Sequence, residues 1–198
     1  VDAKVAIVFD TVNRWAIDDA QGPRNVGKKY LEVCLDYYKA LWKKGINVDV
    51  IDETCPLDKY KVVIAPMTYM IRGDYAKRVE EFVKNGGHYL STFWSGIVDD
   101  TDLCFLGGFP GPLKDVLGIW DEEIECLGDD ESVRVKSICD CTGFNRCFSA
   151  THLCALIHAN DAKVLAEYDS DFFKGMAAAT VNNYGKGKAY YVATRLEE

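Results

Sequence analysis

The sequence predicts an α/β fold, a parallel and doubly wound sheet that gives way to a β-rich C-terminal half. Three observations carry this expectation. Short apolar runs such as Lys4–Phe9 (KVAIVF) are continuous rather than alternating, as strands buried on both faces are. Helical periodicity separates these runs over residues 1–118. From Ile119 onward that periodicity stops and short strand-like segments take over.

The elements follow in order. Lys4–Phe9 is the first strand, and Asp10–Asn25 reads as a long polar loop at its carboxyl end. Val26–Lys44 is a helix, since Tyr30, Val33, Cys34, Tyr37 and Leu41 share one face. Asn25 is placed to cap its start, and Gly45 to supply a left-handed exit. Ile46–Ile51 and Lys61–Ala65 are the next strands. Asp74 is expected to cap a second helix with Tyr75, Val79, Phe82 and Val83 on its apolar face, ending at Asn85-Gly86-Gly87. His88–Phe93 is the fourth strand, and a short helix is expected near Leu113–Leu117. Strands then fall near Glu122–Cys126, Ser132–Cys139, Phe148–Ile157, Ala162–Tyr168, Ala178–Asn182 and Ala189–Ala193. Asn183–Gly187 reads as the turn of an antiparallel hairpin. The whole chain, 1–198, is expected to form a single domain, with an α/β core over 1–118 and 119–198 extending the same sheet. The absence of an initiator Met at Val1 and the end at Glu198, just after a strand, suggest a domain excised from a longer chain.

Composition narrows the function. The 198 residues carry a net charge of −8, which argues against nucleic acid, because phosphate binding needs clustered Lys and Arg. No apolar run is long enough to cross a membrane as a helix. The eight cysteines lack zinc-ligand spacing, so the expectation is reduced thiols in a cytoplasmic protein and no metal or cofactor.

Gly86–Asp102 (GGHYLSTFWSGIVDDTD) has the form of an active site. A strand end followed by a sharp turn is where α/β sheets hold ligands and nucleophiles. The nucleophile's position, however, is Trp94, and an indole forms no acyl intermediate. Ser95 is the alternative, as the elbow nucleophile of a serine hydrolase or amidotransferase-like enzyme. Its bases would have to come from His88, His152 or His158, and no motif surrounds any of them. Asp99-Asp100-Thr101-Asp102 reads as a solvated acidic loop or a contact surface for a partner's Arg, and the Gly107–Gly111 run as a packed turn rather than a phosphate cradle. Trp15, Tyr69, Phe93, Trp94, Phe105 and Phe109 follow strand ends and suggest an aromatic contact rim.

Four runs, Val5–Trp15 (VAIVFDTVNRW), Tyr60–Tyr69 (YKVVIAPMTY), Gly86–Asp102 and Leu106–Ile119 (LGGFPGPLKDVLGI), resemble the middle domain of glycoside hydrolase family 42 β-galactosidases. Val164–Thr194, with Asp171–Gly175 and Tyr184–Gly187, resembles the end of the same domain, and the likeness is weakest between Glu125 and Ala162. The resemblance implies a flavodoxin-like, class I glutamine amidotransferase-like fold whose catalytic Cys position is not retained. It implies a homotrimer of a retaining β-galactosidase acting in carbohydrate metabolism, with the catalytic Glu pair in a preceding TIM barrel and no catalytic residue here. Asn13, Arg14 and Trp15 are then candidates to wall a neighbour's active site, with Trp94 and Phe109 as further interface candidates. Phe105 stands where that family often has a polar residue such as His.

Overall fold

The computed structural model describes residues 2–139 and 147–197. Strands β1 (Val5–Val8), β2 (Val48–Ile51), β3 (Val62–Ala65) and β4 (His88–Thr92) alternate with helices α1 (Thr11–Asp19), α2 (Tyr30–Trp42) and α3 (Tyr75–Lys84). A helical turn at Gly111–Leu113 runs into α4 (Lys114–Leu117). Seven strands follow: β5 (Ile119–Cys126), β6 (Val133–Ser137), β7 (Cys147–Ala159), β8 (Lys163–Tyr168), β9 (Ala177–Tyr184), β10 (Gly187–Val192) and β11 (Thr194–Glu197).

All eleven strands hydrogen-bond into one sheet. Its parallel part has the order β2-β1-β3-β4-β10. The β9–β10 hairpin turns at Gly185-Lys186, with Tyr184 opposite Gly187, and joins the antiparallel part to β4. The thirteen-residue β7 is the hub of that part, pairing with β5, β6 and β11 and touching β9 at Ile157–Ala177.

Residue parity places the helices. Ala6, Val63 and Tyr89 are in register, so they point to one face, and the Tyr75 hydroxyl of α3 lies 3.4 Å from that of Tyr89. Ile7 and Phe9 point to the other face, where Phe9 stacks on Tyr30 of α2 at 5.3 Å. Helices on both faces explain why β1 and β3 are apolar without alternation.

Several local expectations are corrected. Asp10–Asn25 is not all loop, because α1 occupies Thr11–Asp19. Asp10 starts it by accepting the Val12 and Asn13 N–H groups at 2.8 and 3.0 Å. Helix α2 starts at Tyr30 rather than Val26, behind a left-handed Lys29, and Asn25 instead accepts the Gly22 N–H at 2.7 Å. Asp74 makes no side-chain cap; its carboxylate binds Arg78 at 2.8 Å. Strand β5 begins at Ile119 rather than Glu122, β7 extends at both ends, and β11 was not expected. Cys141 lies outside the described residues.

Candidate functional site

At the carboxyl end of β4 the chain turns through Trp94, whose φ of +56° is the left-handed conformation of a strand-to-turn elbow. Gly96 follows with φ +63°, and a Cβ there would stand 2.4 Å from the Pro110 carbonyl oxygen, so the turn requires glycine. The elbow geometry is therefore present.

Its chemistry is absent, because the crevice is filled from within. Trp94 is 2% exposed and packs edge-on against Tyr69 at 5.3 Å. Ser95 is fully buried, and its Oγ accepts the Thr68 N–H at 3.0 Å. Thr92 Oγ1 accepts the Met67 N–H at 2.8 Å. Asn13 bridges from α1, its Nδ2 donating to Met67 O and its Oδ1 accepting from Met70 N, each at 3.0 Å. Strand ends β1, β3 and β4 are thus tied together by side chains where a ligand would otherwise sit.

The histidines are engaged elsewhere. His152 meets Phe93 edge-on at 6.1 Å, but its Nε2 lies 3.0 Å from the Lys28 carbonyl, and burial pushes its pKa down to about 4. His158 pairs with Glu122 at 2.7 Å and stacks on Trp120. His88 stacks on Tyr190 at the start of β4, the far end of the strand from Ser95. Asp99 is consumed locally by the Thr101 hydroxyl and by the Thr101 and Leu103 N–H groups, which hold its carboxyl below the usual range. Among the described residues no group of three or more His, Cys, Asp and Glu side chains could hold a metal ion. Among the same residues, no helix is long and apolar enough to cross a membrane.

One buried charge cluster escaped the sequence reading. Arg72 reaches Asp10 at 2.5 Å and Glu53 at 3.5 Å, and its N–H donates to Glu53 Oε2 at 3.1 Å. Burial raises the Glu53 carboxyl to about 7, against the lowering by Arg72. Arg78 donates to the Glu53 and Cys55 carbonyls. The signal available in sequence was the position of Asp10 and Glu53 just past the ends of strands, but nothing there named Arg72 as their partner. This cluster braces the loops after β1, β2 and β3.

What remains open at this end of the sheet is an apolar rim. Trp15 is 65% exposed, Leu103 66% and Leu106 98%. Tyr69 lies beneath, its hydroxyl raised to about 12, chiefly by burial. Asn13 of α1 bonds Met70, Met70 pairs with Val98 and Val98 with Cys104, so α1 and the 99–106 loop are neighbours. Of the expected interface residues, Arg14 and Trp15 are on the surface and Phe109 is half-buried. Asn13 and Trp94 are buried within the chain, at 1% and 2% exposure. Phe93 and Tyr69 are likewise buried.

Comparison with known proteins matches residues 3–198 to the family model described as the β-galactosidase trimerisation domain. The chain is 50% identical over 200 residues to the β-galactosidase BglY of Alicyclobacillus acidocaldarius, covering 100% of the chain and 29% of that protein. It is 53% identical over 197 residues to the β-galactosidase Pbg of Clostridium perfringens, covering 98% of the chain and 28% of that protein. The solved β-galactosidase of Rahnella sp. R3 superposes with a TM-score of 0.97 at 52% identity, over 100% of this chain and 29% of that one. That of Bacillus circulans sp. alkalophilus does so with a TM-score of 0.96 at 44% identity, over 98% and 29%. The chain therefore spans less than a third of these relatives, and it belongs to the trimerisation-domain family of glycoside hydrolase family 42 β-galactosidases.

Proposed function

We propose that this chain serves as the assembly domain of a trimeric, retaining β-galactosidase acting in carbohydrate metabolism. The parent's TIM barrel would carry the catalytic carboxylates, and this domain would hold three such barrels together. The observation that carries the reading is the filled elbow beside an exposed apolar rim. The place where this fold class would bind a ligand is closed by Trp94, Ser95 and Asn13, while Trp15, Leu103 and Leu106 are left for a partner surface.

The strand order β2-β1-β3-β4, continued by β10, supports a flavodoxin-like, amidotransferase-like ancestry. In that reading Trp94 occupies the lost nucleophile's position. Burial raises the Cys34 and Cys154 thiols above their ordinary range, which fits reduced, structural thiols and a cytoplasmic setting. The rim's position on the surface fits a further role, in which Arg14 and Trp15 wall a neighbour's active-site entrance.

Trp15→Ala in the full-length protein tests this. Weakened trimerisation, or a raised KM for a galactoside with the trimer intact, is expected. Unchanged mass and unchanged kinetics would remove Trp15 from both roles.

A further inference from the structure

Helix α2 has two apolar faces, and only one is used. Tyr30, Val33 and Cys34 point inward. Leu31, Leu35, Tyr38 and Trp42, spaced 4, 3 and 4 residues apart, form a second stripe that is 40%, 39%, 38% and 69% exposed. Beside it lies the edge strand β2, with Val50 59% exposed. Between helix and sheet runs an apolar groove of about 290 Å³, floored by Ile7 and Phe9. A contiguous apolar surface of this kind marks an interaction site.

Its symmetry and charge identify the occupant. A ring of three identical copies closes only through a heterologous interface, in which one patch meets a different patch on the next copy. Stripe on stripe, or β2 on β2, would be isologous and would give a dimer. The C-terminal end of the stripe lies among exposed Lys39, Lys43 and Lys44, a basic cluster in a chain of net charge −8, while Glu32 and Asp36, the latter paired with Arg195, flank its start. The rim at the carboxyl end of the sheet is acidic in balance, with Trp15, Leu103 and Leu106 set among exposed Asp18, Asp19, Asp100 and Asp102, of which Asp18 is paired with Arg14. Acidic and basic rims around apolar centres match in both sign and chemistry.

We infer that the α2–β2 stripe of one copy seats on the Trp15–Leu106 rim of the next, each copy using both patches to close the trimer. The inference rests on the assembly reading and names its surfaces.

Light scattering on the full-length wild-type protein comes first. A monomer or dimer there would overturn the assembly reading itself, and this pairing with it. In a trimeric wild type, Trp42→Asp and Trp15→Asp are each expected to reduce the mass from three chains to one. An equimolar mixture of the two is expected to give a 1:1 dimer, since one intact stripe still finds one intact rim. A trimer retained by either variant, or a mixture that stays monomeric, overturns the pairing and leaves the assembly reading standing. Should either aspartate variant misfold by circular dichroism, a charge exchange decides instead. Lys43→Glu/Lys44→Glu and Asp100→Lys/Asp102→Lys are each expected to weaken assembly, and all four together to restore it. Failure of the combined exchange to restore the trimer overturns the pairing.

Discussion

Ser95 Oγ accepts the main-chain N–H of Thr68 at 3.0 Å, so the hydroxyl best placed for catalysis is used to join the ends of β3 and β4. Both residues are buried, at 0% and 2% exposure. Removing the acceptor leaves a buried N–H without a partner, which costs about 1–3 kcal/mol. Ser95→Ala is therefore expected to lower the denaturation midpoint and leave the galactoside hydrolysis proposed for the full-length protein unchanged. Lost hydrolysis at unchanged stability would return Ser95 to the list of nucleophiles.

Trp94 is among the largest fully buried side chains and fills the elbow against Tyr69. Trp94→Ala is expected to cost about 3–5 kcal/mol, the usual range for emptying a large aromatic site. Urea titration reads this directly. A loss under about 1 kcal/mol would mean that the crevice collapses easily and that the indole is not its plug.

Asp121 sets a pH dependence. It is 2% exposed on β5, where the Tyr191 hydroxyl and the Glu123 N–H are the polar groups nearest its carboxylate. Burial raises its pKa to about 7, and the nearby Tyr191 hydroxyl offsets only part of that. The folded state then holds its proton more tightly than the unfolded state. The contribution to stability is full below the unfolded value near pH 4 and is lost as pH rises to about 7. Glu53, also raised to about 7, acts in the same direction. Asp121→Asn is expected to flatten the decline between about pH 4 and 7, shown by comparing each protein's unfolding midpoint across that window. An unchanged slope would place the aspartate's ionisation elsewhere.

His152 works in the opposite sense. Its Nε2 donates to the Lys28 carbonyl at 3.0 Å, so the neutral ring carries its proton there, and burial lowers the pKa to about 4. Its contribution is present above the unfolded value near 6.5 and lost as pH falls toward about 4. Nitrogen-15 chemical shifts should show an Nε2–H tautomer that does not titrate between about pH 8 and 5. An imidazolium signal at about pH 6 would contradict it.

The parts of the fold legible in the sequence were those whose local pattern matches their environment. Strands β1 and β3 are apolar runs because helices cover both faces of the sheet, and α3 shows a clean inward stripe of Tyr75, Val79, Phe82 and Val83. Helix α1 was illegible because one of its three buried positions is the polar Asn13, whose amide serves the loop after β3. The parallel pairing of β10 with β4 depends on residues about a hundred positions apart, and no local signal encodes it. The direction of Trp94 was not legible, because a position after a strand does not say whether the side chain turns in or out. The identity of the elbow, by contrast, was readable, since Trp94-Ser95-Gly96 follows the strand directly.

The central claim is that this domain assembles three copies. The molar mass of the protein by light scattering across a concentration series tests it most directly. The account predicts a plateau at three chains. A mass of one or two chains throughout the series would contradict it.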